Sequence, residues 1–493
     1  MNSEKRQKRQ SLRIIASEVI MVIAVIAIVS VLALIVSGYW LNSDFTVERQ
    51  GLLQVFSEPT GAEVLIDGKS SWMQRTNTSK VLSSGEHEVS LSKEGYDTWS
   101  KTINITEGLL YRLNYPRLFL KDRRPEKALN ATNATFATIS PDQNTLLVTN
   151  NTTEWQIVKI DNDTLSPKTI DISPYFSGVS LAEGATVGLF SGTILQADWD
   201  ENNSHILFKI SSSDVIEWVL LNVEKPTESI NLTKEFGADF ASIDIIDHSA
   251  NTLLAVRNQN LHKIDVPSKA ISSILVENII SYDHFENELF YIAKQSAAKT
   301  SETSEVSETT QTPNAPETPE TNPPASYVYG LTKLGGSEIK ELATTISPAK
   351  VAISKFYENE YLTTIQENQI VLHNKQNYDD ITEYQLSFTP EHVKVGYHGE
   401  FILMWNGSQI ASLDMELGQI REWRIENEHF GWLDNNMLYT MQDGDLIVYD
   451  FDGLNRRTLA KNVSGHFPAG ITDNKWLYYF SDGELMREWI IEH

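Results

Sequence analysis

Between residues 136 and 489 one pattern recurs: a short apolar segment, a turn built on Asp or Asn, and a second apolar segment. It is seen in Phe136-Ala137-Thr138-Ile139-Ser140-Pro141-Asp142-Gln143-Asn144-Thr145-Leu146-Leu147-Val148, again over residues 197–208 and 241–255, and from starts near Ser281, Val351, Val393, Phe430 and Phe467. Starts lie 37–44 residues apart except across two longer gaps. A unit this short cannot bury its own apolar face, so it must stack on copies of itself. Several short strands in a period of about 40 residues predict a β-propeller with four strands per blade. Eight starts predict eight blades, with seven as the alternative.

The longer gaps have separate causes. Residues 296–326 form a Ser/Thr/Glu/Pro tract with five prolines and almost no large apolar side chain, which cannot bury enough surface to fold. It reads as a disordered insertion, and removing it restores the spacing. The other gap holds a long loop expected around residues 166–192.

The N-terminus carries a different signal. Residues 1–13 contain Lys5, Arg6, Lys8, Arg9 and Arg13 against Glu4, a local charge of +4 in a chain whose total is −26. The apolar run over residues 14–41 follows, and between residues 19 and 36 its one polar side chain is Ser30. As a helix this run matches the ~30 Å hydrocarbon thickness. Tyr39 and Trp40 then fall at an interface, and the positive flank keeps residues 1–13 cytoplasmic. The expectation is a single-pass signal anchor in a bacterial cell membrane, with everything beyond the helix extracytoplasmic. A cleaved signal peptide is the competing reading, but the run exceeds the usual h-region and no clear A-x-A site precedes Tyr39. The chain has no cysteine, which excludes disulfides, thiolate metal sites, cysteine nucleophiles and lipoprotein acylation.

Residues 51–117 read as a small β-domain. Leu52 to Phe56 and Ala62 to Ile66 are short strands, Asp67-Gly68 is a two-residue hairpin signal, and Val89, Leu91, Ile103 and Ile105 alternate with polar residues. Gly61, Gly68, Gly85 and Gly95 read as turn residues. The run Ser57-Glu58-Pro59-Thr60-Gly61-Ala62-Glu63-Val64-Leu65-Ile66-Asp67-Gly68, then Leu82, Gly85-Glu86-His87-Glu88-Val89 and Gly95-Tyr96, resembles the PEGA domain. It departs from that pattern at Arg75-Thr76-Asn77, where the family usually shows G-x-T-P. The resemblance implies an extracytoplasmic β-module on a surface protein and no catalytic activity. Ser140-Pro141-Asp142 and Asp450-Phe451-Asp452-Gly453 are similar to the turns of TolB-type propeller repeats, which implies the same fold for residues 118–493. Residues 115–120 are expected to supply a strand that closes the last blade.

The fold class is therefore mainly β: one transmembrane helix, a PEGA-like domain, then a propeller. Catalytic spacing is absent: there is no G-x-S-x-G, P-loop, H-E-x-x-H or G-x-G-x-x-G after a strand. His392 and His398 lack the further ligands of a zinc motif. Asp443-Gly444-Asp445 and Asp450 to Asp452 read as hairpin turns rather than calcium loops. N-x-[ST] triplets such as Asn77, Asn104, Asn130, Asn133, Asn231 and Asn462 read as chance in a Ser/Thr/Asn-rich chain. Trp155, Trp199, Trp218, Trp405, Trp432, Trp476 and Trp489 recur along the blades and read as blade packing, with stacking on a sugar as the functional alternative.

No catalytic, cofactor-binding or metal residue is assigned, and no cofactor is expected. The acidic balance argues against nucleic acid. The expected function is a non-catalytic binding or scaffolding module for an envelope glycan or surface protein, favouring basic or neutral partners. An extracytoplasmic hydrolase or lyase acting on glycan is the alternative.

Overall fold

A computed structural model of the chain describes residues 20–30, 39–41, 47–129, 134–295 and 325–491, apart from 162–163, 213–214, 247, 336–337, 397–398, 426–429, 435, 465–469 and 473–474. The chain divides into two compact units, Met1–Asp122 with Ile491–His493, and Arg123–Ile490.

Within the first unit, residues 20–30 are helical and exposed throughout, with Ile20, Ile23, Ile26 and Val29 each at least 58% exposed. Among the described residues no helix is long and apolar enough to cross a membrane. The expected span over residues 14–41 lies outside the described residues elsewhere, with one correction: Tyr39–Leu41 is a strand paired with Val47 to Arg49. Its backbone is bonded to a neighbouring strand, so the helix must end before Tyr39.

Two four-stranded sheets complete this unit. One joins Tyr39–Leu41, Val47–Val55 and Thr78–Ser83, with Leu110–Leu113 added parallel to Val47–Val55. The other runs Lys69–Arg75, Glu63–Ile66, Gly85–Ser92, Trp99–Ile105. Alternation decides the faces: along Trp99–Ile105 every second residue is buried. Leu53, Val89, Leu91 and Trp99 are fully buried. Asp67 and Gly68 have φ of 51° and 69°, the left-handed pair that a tight hairpin turn requires. The atypical Arg75-Thr76-Asn77 segment still closes the fold, because the buried Thr76 hydroxyl meets Ser57 Oγ at 2.7 Å and accepts from Ala62 N at 3.1 Å.

The second unit holds, among the described residues, eight four-stranded antiparallel sheets and one two-stranded ribbon. Blade 1 comprises Ala134–Ile139, Thr145–Asn150, Glu154–Asp161 and Thr164–Asp171. Blades 2 to 7 begin at Thr193–Trp199, Ser242–Ile245, Ile279–Phe285, Lys350–Phe356, His392–Val395 and Phe430–Trp432. Blade 8 consists of Gly470–Thr472, Trp476–Ser481, Glu484–Trp489 and, from the start of the unit, Glu126–Leu129. Second and third strands are nearly continuous apolar runs because they are covered on both faces, as in Met437–Gln442 and Asp445–Asp450. Fourth strands are polar and exposed, as in Asn377–Gln385.

Neighbouring blades share apolar clusters. Leu147, Trp155 and Ile157 of blade 1 pack with Ile206, Phe208 and Val219 of blade 2, and Ala137, Leu146 and Val158 pack with Trp476, Tyr478 and Phe480 of blade 8. The first and last blades thus share a core and the ring is closed. Trp155 is fully buried among Phe176, Phe190 and Phe208, with ring centroids 5.1–5.7 Å away, and its Nε1 has no hydrogen-bond partner. Trp155→Phe is therefore expected to cost no more than ~1.5 kcal/mol, because the lost volume is partly offset by removing a stranded donor. Urea unfolding measures it, and a larger loss would mean that the indole nitrogen is bonded.

Two expectations about this unit change. The closing strand is Glu126–Leu129, whereas residues 117–120 belong to the first unit, where Leu118 N bonds Glu58 O and Leu120 bridges Tyr96. The long loop begins at Ile172, since Thr164–Asp171 completes blade 1 despite its polarity, and it carries the ribbon Val179–Ser180 with Leu189–Phe190. The tract at 296–326 falls, but for its last two residues, outside the described residues. Its neck is a hairpin of blade 4, where Lys294 pairs with Tyr327 and Gln295 N bonds Ser326 O.

Candidate functional site

First strands surround the axis of the ring. Those of blades 4, 5 and 6 adjoin one another, and a cavity of about 230 Å³ is lined by first-strand residues of blades 1, 2 and 7 together with Leu433 and Tyr439 of blade 7 and Gly470 of blade 8. Phe136, Ile194, Leu195, Trp432 and Tyr439 line it beside the polar Thr138 and Gln196.

Acidic groups lie further along three successive first strands. Asp198, Asp244 and Asp283 stand one or two residues from the ends of the first strands of blades 2, 3 and 4. Asp283 accepts from Ile353 N and His284 N, both at 2.9 Å. Tyr282 donates to Asp244 and lies 3.2 Å from Ser242 Oγ. Gln196 Nε2 donates to Asp198. Asp198 meets solvent, yet protein surrounds it on most sides, as befits a group facing a channel. That enclosure raises its pKa, with Asp244 adding to the rise while Gln196 and Lys394 oppose it. Burial likewise raises Asp283, and burial together with Asp244 holds Tyr282 well above its ordinary value. Such a wall favours a cationic or neutral group over an anion.

Topology gives the ring two distinct faces. In an up-and-down blade the start of the first strand, the turn between the second and third strands, and the link to the next blade leave on the same side. Leu181, Leu189, Leu195, Val215, Ile274, Ile280 and Ile346 all fall at that side and are 43–73% exposed. The blade 1–2 ribbon and the neck at Gln295 and Ser326 leave from it too. Tyr357 and Ile339, also exposed, mark the opposite side.

The residues singled out by sequence pattern are placed as follows. Trp155, Trp218 and Trp476 are buried, and Trp199, Trp405, Trp432 and Trp489 are partly buried against interblade clusters. Of these, Trp432 lines the channel cavity. His392 stacks on Trp405 at 5.0 Å, and His398 lies outside the described residues. Asp443 and Gly444 form a hairpin turn with φ of 52° and 82°. Asp450 and Asp452 accept from Asn455 Nδ2 and Leu454 N, and Gly453, at φ 74°, lies under Trp423 where a Cβ would stand 2.4 Å from the indole. Among the described residues no cluster of three His, Asp or Glu side chains could hold a metal. The channel carboxylates were missed by motif spacing. Their signal is an Asp inside an apolar first strand rather than in the turn after it.

Comparison with known proteins gives one domain. No curated protein matches the chain. Among solved structures, oligogalacturonate lyase from Vibrio parahaemolyticus is 12% identical with a TM-score of 0.39, covering 72% of this chain and 98% of that one. Oligogalacturonate lyase in complex with manganese is 11% identical with a TM-score of 0.40, covering 73% and 99%. The β-propeller domain of Myceliophteria thermophila Cps50 (Swd1) is 9% identical with a TM-score of 0.38, covering 75% and 99%. At these values the likenesses carry nothing about activity. Residues 50–117 match the PEGA domain family.

Proposed function

We propose that this chain is a membrane-anchored, extracytoplasmic binding or scaffolding protein of the bacterial cell surface, non-catalytic, whose propeller docks an envelope glycan or surface protein on one face. The observation that carries this reading is the gathering of Leu181, Leu189, Leu195, Ile274, Ile280 and Ile346 on the side of the ring from which the blade links leave. Exposed aliphatics grouped on one side of a soluble domain are the usual mark of an interaction surface. Asp198, Asp244 and Asp283 in the channel set the sign of the partner, which is neutral or basic.

The anchor is supported by the basic residues 1–13 and by the apolar helix at 20–30, whose side chains have no protein cover. A helix ending at residue 38 and beginning at 14 would rise about 37 Å, enough to cross a bilayer with some tilt.

Capture of the purified full chain on isolated host envelopes tests the reading. The double variant Leu189→Ser with Ile346→Ser is expected to lower capture at least about ten-fold, because burying each side chain contributes ~1.5–3 kcal/mol. Tyr357→Ser, on the opposite side, is expected to leave capture unchanged. Equal capture by all three proteins would overturn the docking face. Binding that survives protease treatment of the envelopes identifies a glycan, and binding that vanishes identifies a protein.

A further inference from the structure

The rim of the ring is not uniformly covered. Fourth strands run to seven residues in blade 4 and nine in blade 5, but to only two in blade 2, Ile230–Asn231, and two in blade 3, Ala270–Ile271. Where they stop short, a cavity of about 700 Å³ opens between blades 2 and 3, away from the axial channel. This is within the range of small-molecule sites.

Its inner wall is built and rigid. His205 Nδ1 lies 3.0 Å from Oδ2 of the fully buried Asp200, and His205 Nε2 lies 3.1 Å from Asn222 Nδ2. Asn222 Oδ1 accepts from Glu224 N and Lys225 N. Asn231 donates to Tyr175 O at 2.8 Å and accepts from Lys234 N at 2.9 Å. These side chains are held by protein and shape the site rather than waiting for a ligand.

The groups left over define what fits. Among the described residues, Tyr175, Thr227 and Lys234 contribute to the lining, and their side-chain polar atoms have no protein hydrogen-bond partner. The lining charges cancel, Lys234 and Lys269 against Glu228 and Glu235, with Lys269 Nζ 3.1 Å from Glu235 Oε1. A ligand of either charge meets its own sign in this wall. An apolar ligand would desolvate a hydroxyl and an ammonium with nothing in return. A sugar ring offers hydroxyls that both donate and accept, together with a C–H face for the prolines at 174 and 267.

We propose that this rim cavity binds a neutral oligosaccharide segment. The proposal rests on the binding reading above and names its ligand class and second point of contact.

Titration calorimetry of the full chain in a detergent without a sugar headgroup, with chitotetraose, cellotetraose and maltotetraose, tests it, using a hyaluronan tetrasaccharide as the acidic comparison. At least one neutral sugar is expected to bind with Kd of ~1 mM or tighter, and the acidic one no tighter. Tyr175→Phe is expected to weaken binding about five-fold, the worth of one hydrogen bond. Thr227→Trp, at an exposed position, obstructs the cavity and is expected to weaken binding at least about ten-fold with Tm unchanged. No neutral binding at ~1 mM, tighter binding of the acidic sugar, or binding undisturbed by Thr227→Trp overturns the proposal. Envelope capture separates the two readings. If wild type is captured but binds no tetrasaccharide, the cavity proposal falls and the docking reading stands; if wild type is not captured, the docking reading falls and the titration alone decides the cavity.

Discussion

Replacing residues 126–129 by Gly-Ser-Gly-Ser is expected to destabilise the propeller by at least ~3 kcal/mol and to lower its Tm. The segment pairs Glu126, Lys127 and Leu129 with Arg487, Met486 and Leu485, joining the two ends of the unit into one sheet. Ala128 and Leu129 pack against the cluster that holds blade 1 to blade 8. Removing Leu129 from that contact costs on the order of 1.5–3 kcal/mol, and each ladder hydrogen bond lost adds about 1 kcal/mol. The pairs Glu126–Arg487 at 2.7 Å and Lys127–Glu484 at 2.9 Å are partly exposed and add less than about 1 kcal/mol each. With the strand gone, Glu484–Trp489 becomes an open sheet edge. Calorimetry on the full chain measures the result. An unchanged Tm would mean that the apolar cluster alone closes the ring.

Glu488→Gln is expected to stabilise the propeller by about 3 kcal/mol at pH 8 and to change nothing near pH 4.5. Glu488 is 3% exposed in the third strand of blade 8, and burial pushes its carboxyl up to about 7 despite the nearby guanidinium of Arg123. Arg123 Nε stands 3.5 Å away, because its hydrogen bonds go to Leu459 O and Thr458 O at 3.2 and 2.8 Å. Tyr479 faces the same group, and burial with Glu488 beside it pushes the phenol up to about 12. The sign follows from proton counting. Between the unfolded pKa near 4.5 and the folded value near 7, the native state holds a proton that the unfolded chain has lost, so stability falls as pH rises and then levels off. Glutamine has no proton to lose and removes that slope. Urea unfolding of both proteins at pH 4.5 and pH 8 checks it; equal stabilities at pH 8 would mean that Arg123 neutralises the carboxylate fully.

How much of this was legible in sequence depends on how far apart the interacting residues lie. The eight starts found by pattern fall within a few residues of the first strands of the eight blades. They are legible because second and third strands are buried on both faces and so read as dense apolar runs. The turns at Asp67-Gly68 and Asp443-Gly444 are legible for a still more local reason, since left-handed backbone selects Asp and Gly without reference to the rest of the fold. At Gln143, where a glycine would be expected, the chain still turns with φ of 61°, with Asn144 N and Ser140 Oγ bonded to Asp142 Oδ1.

Other features had no local signature. Four residues, Glu126–Leu129, carry no periodicity, and their role as a closing strand exists only because Leu485 to Arg487 present an unpaired edge some 360 residues later. Position between the two domains suggests residues 115–120 for that role, but Leu118 and Phe119 are fully buried in the first unit instead. Asp198, Asp244 and Asp283 are ordinary acidic residues until successive blades place them around one channel. The rim cavity follows from two outer strands being cut to two residues, which no composition or spacing marks. The sequence by itself determined the repeat and the hairpin turns, because strand burial and turn conformation act over a few residues, and it left the blade count between eight and seven. Tertiary structure alone decided the strand that closes the ring, the gathering of the first-strand carboxylates and the cavity at the rim, because each arises from contacts between segments about 40 to 360 residues apart, whose register only the packed ring sets.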